Sequence, residues 1–126
     1  MPKDSDGNPT TIYYRLIARK MLNITGERTL ICAIVPPKTA HTNGLIGFEF
    51  ADLDSMICSA GTFASIPFDF FIKVMGKANL YSDNAGKLPI VQSKFDREIT
   101  IRSLLLNCLT KNYCDIWNKV FKEEYK

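Results

Sequence analysis

Residues 12–35, IYYRLIARKMLNITGERTLICAIV, hold two apolar runs separated by a short polar turn. In the first run Tyr13, Arg15, Ile17 and Arg19 fall on one face of an extended strand. Tyr14, Leu16 and Ala18 fall on the other, the period of two that a strand imposes. The second run, Thr29 to Val35, is β-branched and nearly uncharged, as befits a strand covered on both sides. Asn23 to Glu27 supplies a turn in which Gly26 is free to take positive φ. The pattern predicts a β-hairpin. Val35-Pro36-Pro37-Lys38 must stop its second strand, because proline has no N–H to give a ladder. Beyond a polar loop, Lys38 to Gly44, the alternation of Leu45 to Phe50 predicts a short third strand.

The period then becomes helical. Asp52 is placed to cap a helix, with Asp54 in the first turn where the helix dipole favours a carboxylate. Leu53, Met56, Ile57, Ala60 and Ala64 make its apolar stripe. Pro67 divides this helix from a second one, capped by Ser65, whose expected buried face is Phe68, Phe71, Ile72 and Met75. Gly76 ends that helix and opens an irregular segment, GKANLYSDNAGKLPIVQSK (76–94), of a length that reads as functional or mobile. From Asp96 to Leu109 a helix is expected with Ile101, Leu104, Leu105 and Cys108 inward. Thr110 can cap a last helix with Tyr113, Ile116, Trp117, Val120 and Phe121 on one face. The prediction is α+β: a small antiparallel sheet built on an N-terminal hairpin and packed against C-terminal helices. Residues 1–11 read as a flexible lead-in, and 12–126 as a single domain that looks like a fragment of a larger protein.

Composition narrows the function. A 46% hydrophobic and 23% charged chain of 126 residues is globular rather than disordered. A net charge of +3 permits a polyanionic partner without demanding one. Cys32, Cys58, Cys108 and Cys114 form no CxxC pair and lie in apolar contexts, the pattern of buried reduced thiols in a cytoplasmic protein. With His41 the one histidine, no familiar zinc set or catalytic triad can be assembled. There is no glycine-rich phosphate loop and no nucleophile elbow, so no catalytic site is visible and no cofactor is expected in this chain. No stretch has the length of a membrane span, and the polar N-terminus is not a signal peptide. Val35-Pro36-Pro37-Lys38 superficially resembles the motif with which amino-methyltransferases hold a flipped base. Val35 cannot hold an exocyclic amine, however, and Lys38 cannot stack a base as an aromatic ring would. What remains is the basic and amide-bearing set. Arg15 and Arg19, two pleats apart, can span neighbouring phosphates, or else be solvated charges that pair with carboxylates such as Asp52 or Asp96. Lys38, Thr39, His41, Thr42 and Asn43 in one loop carry groups that hydrogen-bond phosphates or base edges, and a second loop carries Lys77, Asn79, Tyr81, Asn84 and Lys87.

Taken in order, residues 12–44, 64–91 and 104–117 resemble the C-terminal specificity region of single-chain type IIG restriction–modification enzymes and related large adenine-specific DNA methyltransferases of phage defence. In that family an arginine-bearing strand leads to a Thr/Glu/Arg turn and an apolar strand ending in two prolines. A His- or Asn-containing loop, an Asp-aromatic helix, a Leu-Pro-terminated loop and a Leu-Asn-x-Leu-Thr…Tyr…Trp helix follow. The resemblance implies a non-catalytic DNA target-recognition module with double-stranded DNA as partner. It places S-adenosylmethionine only in a neighbouring methyltransferase domain. The positions it implies are Arg15, Arg19, Thr25, Arg28, the His41–Asn43 loop and the Lys77–Lys87 loop. Arginines and lysines would hold phosphates, while Asn, His and Tyr would touch bases. The departure is a charge less basic than such a surface calls for. The alternative is a structural or interaction module that docks its Tyr113/Trp117/Phe121 face on a neighbouring methyltransferase domain.

Overall fold

A computed structural model of the chain describes Lys3 and residues 6–121; the remainder of the expected lead-in and the end of the expected domain lie outside the described residues. Strand β1 (Arg15–Arg19) is the middle of a three-stranded antiparallel sheet, between β2 (Cys32–Val35) and β3 (Leu45–Phe48). Leu16 stands opposite Ile34 on one side and Phe48 on the other, and Ala18 opposite Cys32 and Ile46. The architecture is the expected α+β, and the first two apolar runs do pair antiparallel.

The link between β1 and β2 is broader than a tight hairpin. Thr29 and Leu30 leave the ladder because both their N–H groups donate to one oxygen of Asp69, at 2.7 and 2.8 Å. The turn is closed by the Asn23 side chain. Its Oδ1 accepts from the Thr25 N–H (3.3 Å), the Thr25 hydroxyl (2.9 Å) and the Gly26 N–H (3.1 Å), an Asx-type turn. Gly26 does not take positive φ. Its use is steric, since a Cβ there would come within 2.9 Å of the Asn23 amide.

Helix α1 (Leu53–Phe63) starts as expected at Asp52, whose carboxylate accepts from the Ser55 N–H at 2.7 Å. It packs on β1 and β2 and lies along the later helix of residues 96–107. Helix α2 (Ile66–Val74) follows after the predicted break. Its buried residues are Asp69 and Ile72, with Phe68 and Met75 alongside, whereas Phe71 is 41% exposed. A carboxylate thus occupies the inward position that hydrophobicity alone assigned to a phenylalanine. Gly76, at φ 62°, closes this helix.

The segment expected to be irregular contains a short helix, α3 (Ser82–Ala85). Leu80, Ala85 and Leu88 are buried beneath it. Asn84 holds it: Oδ1 accepts from the Tyr81 N–H at 2.6 Å and Nδ2 donates to the Asn79 carbonyl at 2.8 Å. Helix α4 (Asp96–Asn107) buries Thr100, Ser103 and Leu104, with Cys108 just beyond. Leu105, expected inward, is 53% exposed. The face toward α1 is small and polar because the two helices approach at Gly61, where a Cβ would fall 2.7 Å from Ile99 Cγ2.

The chain ends with a 3₁₀ turn, Lys111–Tyr113, and α5 (Cys114–Val120). Ile116 and Val120 are buried. Tyr113 donates its hydroxyl to the Ile34 carbonyl and Trp117 its indole N–H to the Cys108 carbonyl, both at 2.8 Å. Of the C-terminal aromatic face, Tyr113 is thus tied to β2 and Trp117 to the residue that follows α4, while Phe121 is 38% exposed.

Part of the lead-in is also folded. Thr10–Ile12 form a 3₁₀ turn, Thr10 is buried, and the Thr11 carbonyl accepts the Lys38 N–H at 2.6 Å. All four cysteines are unpaired, and Cys114 is exposed, on the outer side of α5 rather than in the core. Burial pushes the thiols of Cys32, Cys58 and Cys108 each up to about 11. Among the described residues, no single helix is long and apolar enough to cross a membrane.

Candidate nucleic-acid interface

The end of β1 is a junction. The Lys20 N–H donates to the Gly44 carbonyl at 2.8 Å, and the Lys20 carbonyl accepts the Leu80 N–H at 2.7 Å. Leu22 N–H adds a bond to the Ala78 carbonyl at 2.9 Å, and Met21 bridges Asn79. One strand end thus ties the loop of residues 38–44 to the loop of residues 77–87. The Lys20 side chain repeats the connection: Nζ donates to Asn43 Oδ1 at 2.9 Å and lies 5.7 Å from the centre of the Tyr81 ring. A cation that close to an aromatic face is attracted by the ring quadrupole.

Of the residues singled out in the sequence, His41, Asn43, Asn79 and Tyr81 gather here. Tyr81 is 53% exposed. His41 contacts the Thr42 carbonyl through Nδ1 at 3.2 Å and lies against Gly47 on its Nε2 side. Lys38, Lys77 and Lys87 are exposed on the same two loops. Lys38 has the left-handed φ of 65° at the start of its loop, a conformation uncommon for a residue with a Cβ.

The arginines diverge. Arg15 is buried, and its guanidinium donates to the Thr39 carbonyl. Nε has no partner, and desolvation pulls its pKa below the ordinary arginine value. Arg19 is half-buried and donates Nε–H to the Met21 carbonyl at 3.0 Å. Neither makes an ion pair among the described residues, so the expected alternative of fastening by Asp52 or Asp96 is not realised. Arg28 lies elsewhere, donating to the Ala64 carbonyl with Nε 3.6 Å from Asp69. Thr25, implied by the resemblance, is held in the Asn23 turn.

A cleft of about 290 Å³ opens beside the junction, lined by Arg15, Lys20, His41, Tyr81 and Ser82 among others, with Glu49 as its carboxylate. A larger cavity of about 770 Å³ shares Arg15 but carries Asp6, Glu49, Asp52 and Asp115 against Arg15 and Lys119. Four carboxylates to two cations make that cavity a poor surface for a polyanion, so size does not decide the site. Lys20 and Ser82 escaped the sequence reading, whereas Asn84 was counted among the polar residues of its loop without the organising role it has. Lys20 merely ends an apolar run, and its role depends on tertiary contacts; the bonds of Asn84 are local, to Tyr81 and Asn79. No protein-family model, curated protein sequence or solved structure matches the chain.

Proposed function

We propose that the chain is a non-catalytic DNA target-recognition module, of the kind its motifs resemble in type II restriction–modification and adenine-specific methyltransferase proteins. The observation that carries this reading is the Lys20 junction, which draws together two loops rich in cations, amides and an exposed tyrosine. Cations at the strand end and on the loops suit phosphates, and the amides and imidazole of Asn43, Asn79 and His41 suit base edges in a groove. The partner is double-stranded DNA, with S-adenosylmethionine belonging to a neighbouring domain. The test is duplex binding by fluorescence anisotropy across a salt series. Each phosphate contact contributes about −0.9 to the slope of log K against log salt, so Arg19→Gln or Lys77→Gln flattens it by about one unit on any duplex. Asn43→Ala relaxes sequence preference, about 1–3 kcal/mol per bidentate base contact, and leaves the slope alone. A slope that ignores these cations would retire the proposal.

A second reading, an interaction module seated on a methyltransferase domain, draws on a different face from the one expected. Tyr113 and Trp117 are bonded within the chain, while Ile66 (76% exposed), Phe70 (65%) and Val74 (67%) form an open apolar row along α2. A row of that kind is a common mark of a docking surface.

A further inference from the structure

We infer that the cleft beside β1 is a binding site for a single phosphate group, held between the Arg15 guanidinium and the Lys20 ammonium. The inference stands apart from the DNA reading, because its ligand is the phosphate group whatever carries it.

Arg15 retains 6% of its accessible surface, and among the described residues no carboxylate lies within 4 Å of it. A buried cation without a counter-charge is costly unless an anion completes it. Its protein partner is one neutral oxygen, the Thr39 carbonyl, and Nε is left without any. Elsewhere in the same chain the remedy is visible: Arg28, less buried, has Asp69 beside it. Of the two voids that Arg15 borders, the larger carries four carboxylates and the smaller only Glu49, so the smaller is the one suited to an anion.

That void has a composition suited to a tetrahedral oxyanion. Arg15 and Lys20 give it two fixed cations against Glu49, with His41 adding an imidazole. Tyr81 and Ser82, both of which carry hydroxyl groups, also line it. A guanidinium fork matches two phosphate oxygens, and a lysine acts as a point charge that reaches a third. The lysine is already poised, since Asn43 Oδ1 and the Tyr81 ring hold its ammonium near the opening. An amide oxygen is a weaker partner than a phosphate oxygen, so the ammonium can exchange one for the other. The cleft, about 290 Å³, has room for a phosphate and the first atoms attached to it.

The experiment is an amide-resonance titration of the whole chain with inorganic phosphate, against chloride at matched ionic strength. Phosphate should shift the Gly47, Ser82 and Lys20 amides where chloride does not. Lys20→Gln removes one charge-assisted bond and should weaken phosphate binding about tenfold or more. Arg15→Met should abolish it. Lys119→Gln, an equal charge change in the larger cavity, should leave it unaltered. Absence of phosphate-specific shifts, or equal weakening by Lys20→Gln and Lys119→Gln, overturns the inference. A competition arm then identifies the carrier. Displacement of phosphate by a short duplex makes the backbone phosphodiester the carrier. Displacement by a nucleoside monophosphate but not by duplex makes it a free phosphomonoester, which sustains the phosphate site and sinks the DNA reading.

Discussion

Two buried ionisable groups on either side of the first connection have opposite surroundings. Asp69 is complete: two backbone N–H groups donate to it, and Arg28 and Lys73 flank it at 3.6 and 3.5 Å. Arg15 is incomplete, with one carbonyl and an orphan Nε. The first arrangement joins α2 to residues 29–30 and fixes where β2 begins. The second leaves a charge facing a cleft. The difference separates a contact that holds the fold together from a charge that the fold leaves uncompensated.

The largest effect is expected at the clamp. Asp69→Ala orphans two buried N–H groups and removes the counter-charge of Arg28 and Lys73, which keep only backbone carbonyls as partners, and should cost about 3–5 kcal/mol in urea unfolding, a large share of a domain's stability. Duplex and phosphate affinity of the molecules that remain folded should not change.

The clamp should also give an acid signature. Burial by itself raises the Asp69 pKa, but the Leu30 and Thr29 N–H groups, then Arg28 and Lys73, together hold it below the ordinary aspartate value. A carboxyl depressed in the folded state contributes its full stability above the unfolded pKa and loses it as pH falls through the folded pKa. The stability gap between the natural chain and Asp69→Asn should be constant from neutral pH to about pH 5, then narrow as the pH drops below the ordinary aspartate range. A gap that widens on acidification would contradict the clamp.

At the cleft the expected signs are reversed. Arg15→Met removes a buried charge that has no carboxylate within 4 Å among the described residues, so stability should hold or rise by about 1 kcal/mol while phosphate binding is lost. A fall of that size instead would show that the bond to Thr39 outweighs the burial of the charge. Smaller still, Lys20→Gln and Arg28→Gln should each cost less than about 1 kcal/mol in unfolding, as partly exposed cations do. They part company in binding: Lys20→Gln weakens it and Arg28→Gln does not.

Much of the scaffold was legible in the sequence because it rests on local signals. The apolar run that becomes β1, the Asp52 cap, the break before Pro67 and the Gly76 stop each involve residues a few positions apart, although it is β1, in the middle of the sheet, and not β2 that is covered on both faces. The errors arose where a distant partner decides the outcome. Asp69 reads as a surface acid on an aromatic helix, yet it faces inward to amides on Thr29 and Leu30. Leu105 reads as core, yet the approach of α4 to Gly61 turns Thr100 and Ser103 inward in its place. For the site, the two loops were visible as polar stretches of unusual length, and their meeting was not. Nothing in the run RLIARK marks Lys20 as the residue on which both loops converge, and nothing near Arg15 shows that no acid comes to meet it.

The junction at Lys20 is made by main-chain hydrogen bonds: Lys20 to Gly44, Leu80 to Lys20, Leu22 to Ala78. Those bonds are indifferent to which side chains the residues carry. Positions 41, 43 and 81 can therefore change identity over evolutionary time without dismantling the frame that presents them. A pool of sequences randomised at these three sites should keep the fold in most of its members while its preferences scatter. Under the DNA role proposed for it, a scaffold of this kind can diverge in what it reads far faster than in what it is.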